Sequence, residues 1–78
     1  MKLTFEPIQL PTRYITKAWE VKGNVKLGVV KWYAQWRRYV FYPEKDTLFD
    51  SDCMNQIKTF LDNQMYLRKV KALEKKER

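Results

Sequence analysis

From Val25 to Tyr42 the chain is dense in β-branched and aromatic residues, and that run constrains everything around it. Such side chains fit a pleated, half-buried surface, so residues 25–33 and 36–42 are predicted as two strands. Ala34-Gln35 is a poor turn by composition, which leaves open a two-residue or a longer loop and, with it, the strand register. Upstream, Lys22-Gly23-Asn24 is a turn signal, because Gly and Asn tolerate the positive φ that a tight hairpin demands. Residues 13–21 alternate, with Ile15, Trp19 and Val21 on one side and Tyr14, Thr16 and Ala18 on the other, and form the first solid strand. Residues 3–10 alternate weakly around Pro7 and are interrupted at Pro11. Pro lacks a ladder N–H, so this segment reads as an extended arm or an added edge strand.

Pro43 stops the last strand, and a polar connection leads to Asp50-Ser51-Asp52, good N-cap residues just before an apolar periodic stretch. Cys53, Ile57, Phe60 and Leu61 fall on one side of a 3.6-residue helix, with Met54 at the edge of the stripe. Beyond Gln64 the period drifts while basic residues accumulate, so the helix is expected to project past the body or fray there. The fold class is α+β: a three-stranded antiparallel sheet, to which the arm can add an edge strand, packed against one C-terminal helix. Residues 1–67 make a single domain, and 68–78 a basic helical extension or tail.

Only 78 residues are available, and a chain of this size hides roughly 60% of the surface its unfolded form exposes, so the core is small. Its 45% hydrophobic content and its two Gly are those of a folded domain, not a disordered tail. No His and a single Cys remove the Ser-His-Asp and Cys-His arrangements, His-based metal sites and any internal disulfide. Asp50 and Asp52 are explained by helix capping, and Cys53 by its place on the apolar stripe as a buried, inert thiol. No catalytic residue, metal or cofactor is therefore expected. No apolar run approaches the ~20 residues of a membrane span and no secretory signal begins the sequence, so a reducing cytoplasm is the expected compartment.

The formal net charge is +7, which points toward an anionic partner. Residues 13–38 carry seven basic groups against Glu20 alone, whereas residues 44–62 hold five acids against Lys45 and Lys58. Acids at the helix start and bases at its end suit the helix dipole. The basic strands have no such explanation. Six of the eleven residues from Trp32 to Tyr42 are aromatic, with Lys31, Arg37 and Arg38 interleaved. A two- or four-residue loop puts Val30, Trp32, Arg37, Tyr39 and Phe41 on one face, assigned to the helix side. The outward face then carries Val29, Lys31, Tyr33, Trp36, Arg38, Val40 and Tyr42. Phe41 is expected opposite Gly28 and Lys31 opposite Arg38, a like-charged pair that a bound phosphate or carboxylate would stabilise.

The stretch Leu27-Gly28-Val29-Val30-Lys31-Trp32-Tyr33-Ala34-Gln35-Trp36-Arg37-Arg38-Tyr39-Val40-Phe41-Tyr42-Pro43, followed by Thr47-Leu48-Phe49-Asp50 and Cys53, resembles a group of small uncharacterised proteins encoded by phages, prophages and other mobile elements. Their pattern is roughly Gly-x-hydrophobic-Lys-Trp-aromatic-x-x-Trp-Arg-x-Tyr-x-Phe-x-Pro, and it is matched over about residues 27–62. The resemblance implies a small accessory role in a bacterial host cell: binding DNA, or blocking a host defence protein such as a CRISPR effector. Three strands and a helix is also similar in plan to domains that read DNA with a sheet, as in plant AP2-type factors and the arm-binding domains of some phage integrases, although their residue motifs are missing here.

The function these residues favour is noncatalytic binding of DNA or RNA. Lys31, Arg37 and Arg38 would meet phosphates, Tyr33 and Trp36 would offer rings, and Lys26, Arg68, Lys69 and Lys71 would add charge. The alternative is a protein inhibitor or adaptor acting on a host nucleic-acid-bound complex through the same face, since Trp, Tyr and Arg are also hot-spot residues. Homodimerisation through a sheet edge is a further option.

Overall fold

A computed structural model describes residues 1–11 and 16–76. The chain forms β1 (Thr4–Ile8), β2 (Ala18–Lys22), β3 (Lys26–Tyr33), β4 (Arg38–Pro43) and α1 (Ser51–Lys76). The strands make one antiparallel sheet in the order β1-β2-β3-β4, and α1 packs on one face. The sheet thus has four strands and not three. The N-terminal arm is a full member, paired with β2 from Thr4↔Lys22 to Ile8↔Ala18. Its Pro7 is tolerated because the odd-numbered positions of this edge strand aim their amides away from β2. The fourth strand also departs from the three-stranded plan of the sheet-type DNA readers. β2 begins at Ala18, with residues 16 and 17 of the expected strand ahead of it, and residues 13–15 of that expected strand lie outside the described residues.

Gly23 donates to the Val25 carbonyl at 3.0 Å in the β2–β3 turn. Beside it the register slips, with Val21↔Gly28 followed by Lys22↔Lys26, so Leu27 is the extra residue of a bulge and is buried in the core. The β3–β4 loop has four residues, Ala34–Arg37, closed by the Arg37 amide donating to the Tyr33 carbonyl at 2.9 Å. Arg37 sits at φ 55°, a left-handed conformation that a non-glycine residue adopts at a cost. The longer loop moves the β3–β4 register by two residues from the expected pairs. Lys31 lies opposite Val40, not Arg38, and Phe41 opposite Val30, not Gly28. A shift of two preserves the faces, and the predicted inward set of Val30, Trp32, Tyr39 and Phe41 does meet the core. Arg37 and Trp36 leave the faces altogether, because both belong to the loop. β4 runs from Arg38 to Pro43 rather than from 36 to 42, and Pro43 is its last residue.

The core is closed by Val21 and Val30, both fully buried, with Leu3, Trp19, Leu27, Tyr39, Cys53 and Ile57 around them. Asp50 caps α1, its Oδ1 accepting the Cys53 amide at 2.8 Å. An aromatic chain ties helix to sheet. Phe5 stacks on Phe60 at 4.1 Å between centroids, Trp19 meets Phe60 and Tyr39 edge to face at 5.0 and 5.4 Å, and Trp32 meets Tyr39 at 5.2 Å. The helix carries on unbroken past Leu67 to Lys76.

Candidate nucleic-acid interface

Strand alternation fixes what each face of the sheet carries. Val29, Lys31 and Tyr33 on β3 and Arg38, Val40 and Tyr42 on β4 point away from the helix, as do Glu6, Glu20 and Lys22. At one end of this outer face the charges are matched. Lys22 lies 3.3 Å from both Glu6 and Glu20, and it bridges the two acids that the register places opposite each other. Its hydrogen bonds to Glu6 and then to Glu20 raise its pKa above the ordinary 10.5. Lys26 lies 3.6 Å from Glu20 and 3.8 Å from Glu44, so its charge is offset as well.

At the hairpin end the cations stand without such partners. Lys31, Arg37 and Arg38 have no carboxylate within 4.0 Å among the described residues. Lys31 instead lies over the Tyr42 ring, 4.6 Å from its centroid. Trp36 at the loop tip is 67% exposed and meets Tyr33 edge to face at 5.0 Å, while the Tyr33 hydroxyl donates to Gln35 Oε1 at 2.7 Å. Lys17 belongs to this end too, next to Ala18, the cross-strand partner of Lys31. The expected cluster of Lys31, Tyr33, Trp36, Arg37 and Arg38 is therefore brought together, though Trp36 and Arg37 reach it from the loop.

The remaining expected residues lie elsewhere. Lys26 sits at the far end of β3, about 16 Å from Lys31 at the usual strand rise. Arg68 is on the helix side of the sheet, its guanidinium 4.1 Å above the Trp32 ring. Lys69 and Lys71 are exposed on α1 beyond it. Arg68 thus marks the end of the molecule where Trp32 and the loop lie, and Lys69 and Lys71 follow it along α1. Positive charge therefore surrounds that end rather than covering one flat face.

Cys53 is buried and its pKa is raised, first by its hydrogen bond to Asp50 and then by burial. Asp50 is lowered by the Cys53 amide and thiol that bond to it. Asp52 lies 3.7 Å from the N-terminal ammonium and accepts a hydrogen bond from Gln56 at 3.0 Å. The two aspartates thus act on the helix start.

A feature the sequence did not announce runs along the other side of β4. A groove of about 580 Å³ opens between β4 and α1, floored by Phe41, Phe49, Ile57 and Leu61 and flanked by Met54 and Met65. Trp36 and Arg38 stand at one end of it, and Lys58, bonded to Asp62 at 2.8 Å, on its rim. The only trace in the sequence is an apolar stripe wider than a small sheet needs, from Met54 at one edge to Met65 at the other.

The chain is similar to a small protein of another source. That protein is encoded by a phage. The chain is 32% identical over 47 residues to an uncharacterised 9.3 kDa protein of Acholeplasma phage L2, a match covering 60% of this chain and 60% of that one. No protein-family model matches the chain, and no solved structure gives a significant match. Among the described residues no helix is long and apolar enough to cross a membrane.

Proposed function

We propose that this is a noncatalytic nucleic-acid-binding accessory protein of a phage or other mobile element. The observation that carries the reading is the contrast between the ends of the sheet: Lys22 and Lys26 are matched by Glu6, Glu20 and Glu44, whereas Lys31, Arg37 and Arg38, beside the exposed Trp36, meet no carboxylate among the described residues. A protein that needed these cations only for solubility has no reason to segregate them. Phosphates neutralised by the three cations, with a base or sugar against the Trp36 ring, use every group at that end, and each base–aromatic stack is worth roughly 1–3 kcal/mol. The reading does not require Lys31 to face Arg38. It rests on cations converging from β3, the loop and β4.

Fluorescence anisotropy of labelled single-stranded DNA, duplex DNA and RNA, at low and near-physiological salt, tests it. Saturable binding that weakens with salt and is abolished by Lys31→Glu with Arg38→Glu, in a protein that still folds, is the expected result. Each cation removed should lower the slope of log affinity against log salt by about 1. Binding that survives the double reversal unchanged would place the contact elsewhere. No binding to any of the three polymers would shift the reading to a protein partner, such as a host complex that the chain inhibits.

A further inference from the structure

The groove between β4 and α1 adjoins that interface and shares Trp36 and Arg38 with it, but it runs on between β4 and the helix, where Lys31 and Tyr33 take no part. Three properties restrict what can fill it. First, the strand edge that borders it is a poor template for extending the sheet. Glu44 donates to the Leu27 carbonyl at 2.8 Å, which makes the even-numbered residues of β4 the ones bonded to β3 and turns Tyr39, Phe41 and Pro43 outward. The Tyr39 amide already donates to the Met65 sulfur at 3.4 Å, and Pro43 has no N–H. Of the outward amides only that of Phe41 remains, beside the outward carbonyls of Tyr39, Phe41 and Pro43, so an added strand finds one donor where a regular edge of this length offers three.

Second, the walls offer apolar surface and almost no polar group in need of a partner. Lys58 and Asp62 satisfy each other, and among the described residues no buried side-chain polar atom lacks a hydrogen bond. A polar small molecule or the edge of a nucleobase would leave its own donors and acceptors unpaired here. An occupant must satisfy its backbone by itself and present apolar side chains, which an α-helix does. Third, with Lys58 matched by Asp62, Arg38 is the charge on the rim that meets no carboxylate among the described residues, and it stands beside the exposed Trp36.

We infer that this groove receives an amphipathic α-helix of a protein partner. Its apolar stripe lies between Met54 and Met65, and a carboxylate on its flank meets Arg38. The two methionines suit the role because unbranched thioether side chains adapt to different apolar surfaces. The chain then joins two partners, with nucleic acid at the hairpin end and a helix along β4.

Methyl-labelled methionine reports on this directly, because the chain has three Met and Met1 lies outside the groove, against Gly23. The probes are a synthetic peptide with Leu at i, i+3, i+4 and i+7 on a Glu-rich helix, the same peptide with Lys for Glu, the same composition interrupted by Pro, and a single-stranded oligonucleotide. The acidic helix should shift the Met54 and Met65 methyl resonances and leave Met1 in place. The basic version should bind at least about tenfold more weakly, and the Pro-interrupted one should not bind. Met54→Glu, at a 55% exposed position that does not hold the core, should abolish the Met65 response, whereas Lys31→Glu with Tyr33→Ala should preserve it. The inference is overturned if no peptide moves Met54 and Met65, or if the Pro-interrupted peptide moves them equally. It is also overturned if the oligonucleotide moves them, or if dilution of the protein alone does, which would assign the groove to nucleic acid or to a second copy.

Discussion

Gly28 shows how tightly single positions are held. A Cβ there would meet the Tyr42 carbonyl oxygen and the Phe41 ring, whose Cε1 would lie 2.7 Å away. The Phe41 ring therefore lies over Gly28 even though its backbone faces Val30. Gly28→Ala should cost roughly 1–3 kcal/mol in denaturant unfolding, enough to lower the thermal midpoint of so small a domain by several degrees. Asp50 governs the response to acid. Its carboxyl is held below the usual 3.8 by the Cys53 amide and thiol, so the folded protein stays charged at a pH where the unfolded chain has begun to take up protons. Its stabilising contribution is complete above that unfolded value and is lost as pH falls through the lower folded one. Thermal unfolding of Asp50→Asn between about pH 7 and pH 3 should show lower stability at neutral pH and a shallower acid decline than the parent. An unchanged decline would mean that other carboxylates set it.

At the scale of elements, both edges of the sheet are blunted in the same way. On β1 the Leu3 amide donates to Gln56 Oε1 of the helix at 2.9 Å and Pro7 has no N–H, which leaves Phe5. On β4 the corresponding groups are Met65, Pro43 and Phe41. Each edge combines one helix side chain with one proline, so homodimerisation by strand addition, open from the sequence, has a single backbone amide to use on either side. Pro43→Thr restores a second amide next to Phe41 and should promote self-association in sedimentation velocity relative to the parent; sedimentation identical to the parent would show that the proline does not guard that edge. The helix holds the other half of the structure. Ile57 is buried in the core, and Ile57→Ala should cost about 2–5 kcal/mol, a large share of what a chain this short retains.

On the scale of the whole molecule, charge and length combine. A 26-residue helix is about 39 Å long at 1.5 Å per residue, against a longest molecular extent of 46 Å, and its acidic start and basic end lie far apart. Arg68 is the last basic residue seen to pack on the sheet, over Trp32. Removing residues 69–78 should therefore leave the unfolding midpoint nearly unchanged while weakening nucleic-acid binding and flattening its salt dependence, since five cations leave with it. A large loss of stability would show that the distal helix packs, and unchanged binding would confine the contact to the hairpin end.

Legible in the chain before it folds are the α+β class, the strands β3 and β4, the capped helix with its apolar stripe and the two faces of that hairpin. Each of these follows from side-chain period and local backbone preference, which neighbouring residues encode. The expected binding cluster was legible for the same reason, because Lys31, Tyr33, Trp36, Arg37 and Arg38 lie within eight consecutive residues. Tertiary structure decided the rest. Pro7 made β1 look like a loose arm until its pairing with β2 showed that its missing amide faces the open edge. The length of the Ala34–Arg37 loop, on which the composition was silent, set the partners of Lys31 and Phe41. The offset of Lys26, the removal of Arg68 to the helix side, the closing of the edges by Gln56 and Met65, and the groove along β4 all join residues far apart in the chain. No local preference specifies such contacts, because they exist only once sheet and helix have packed.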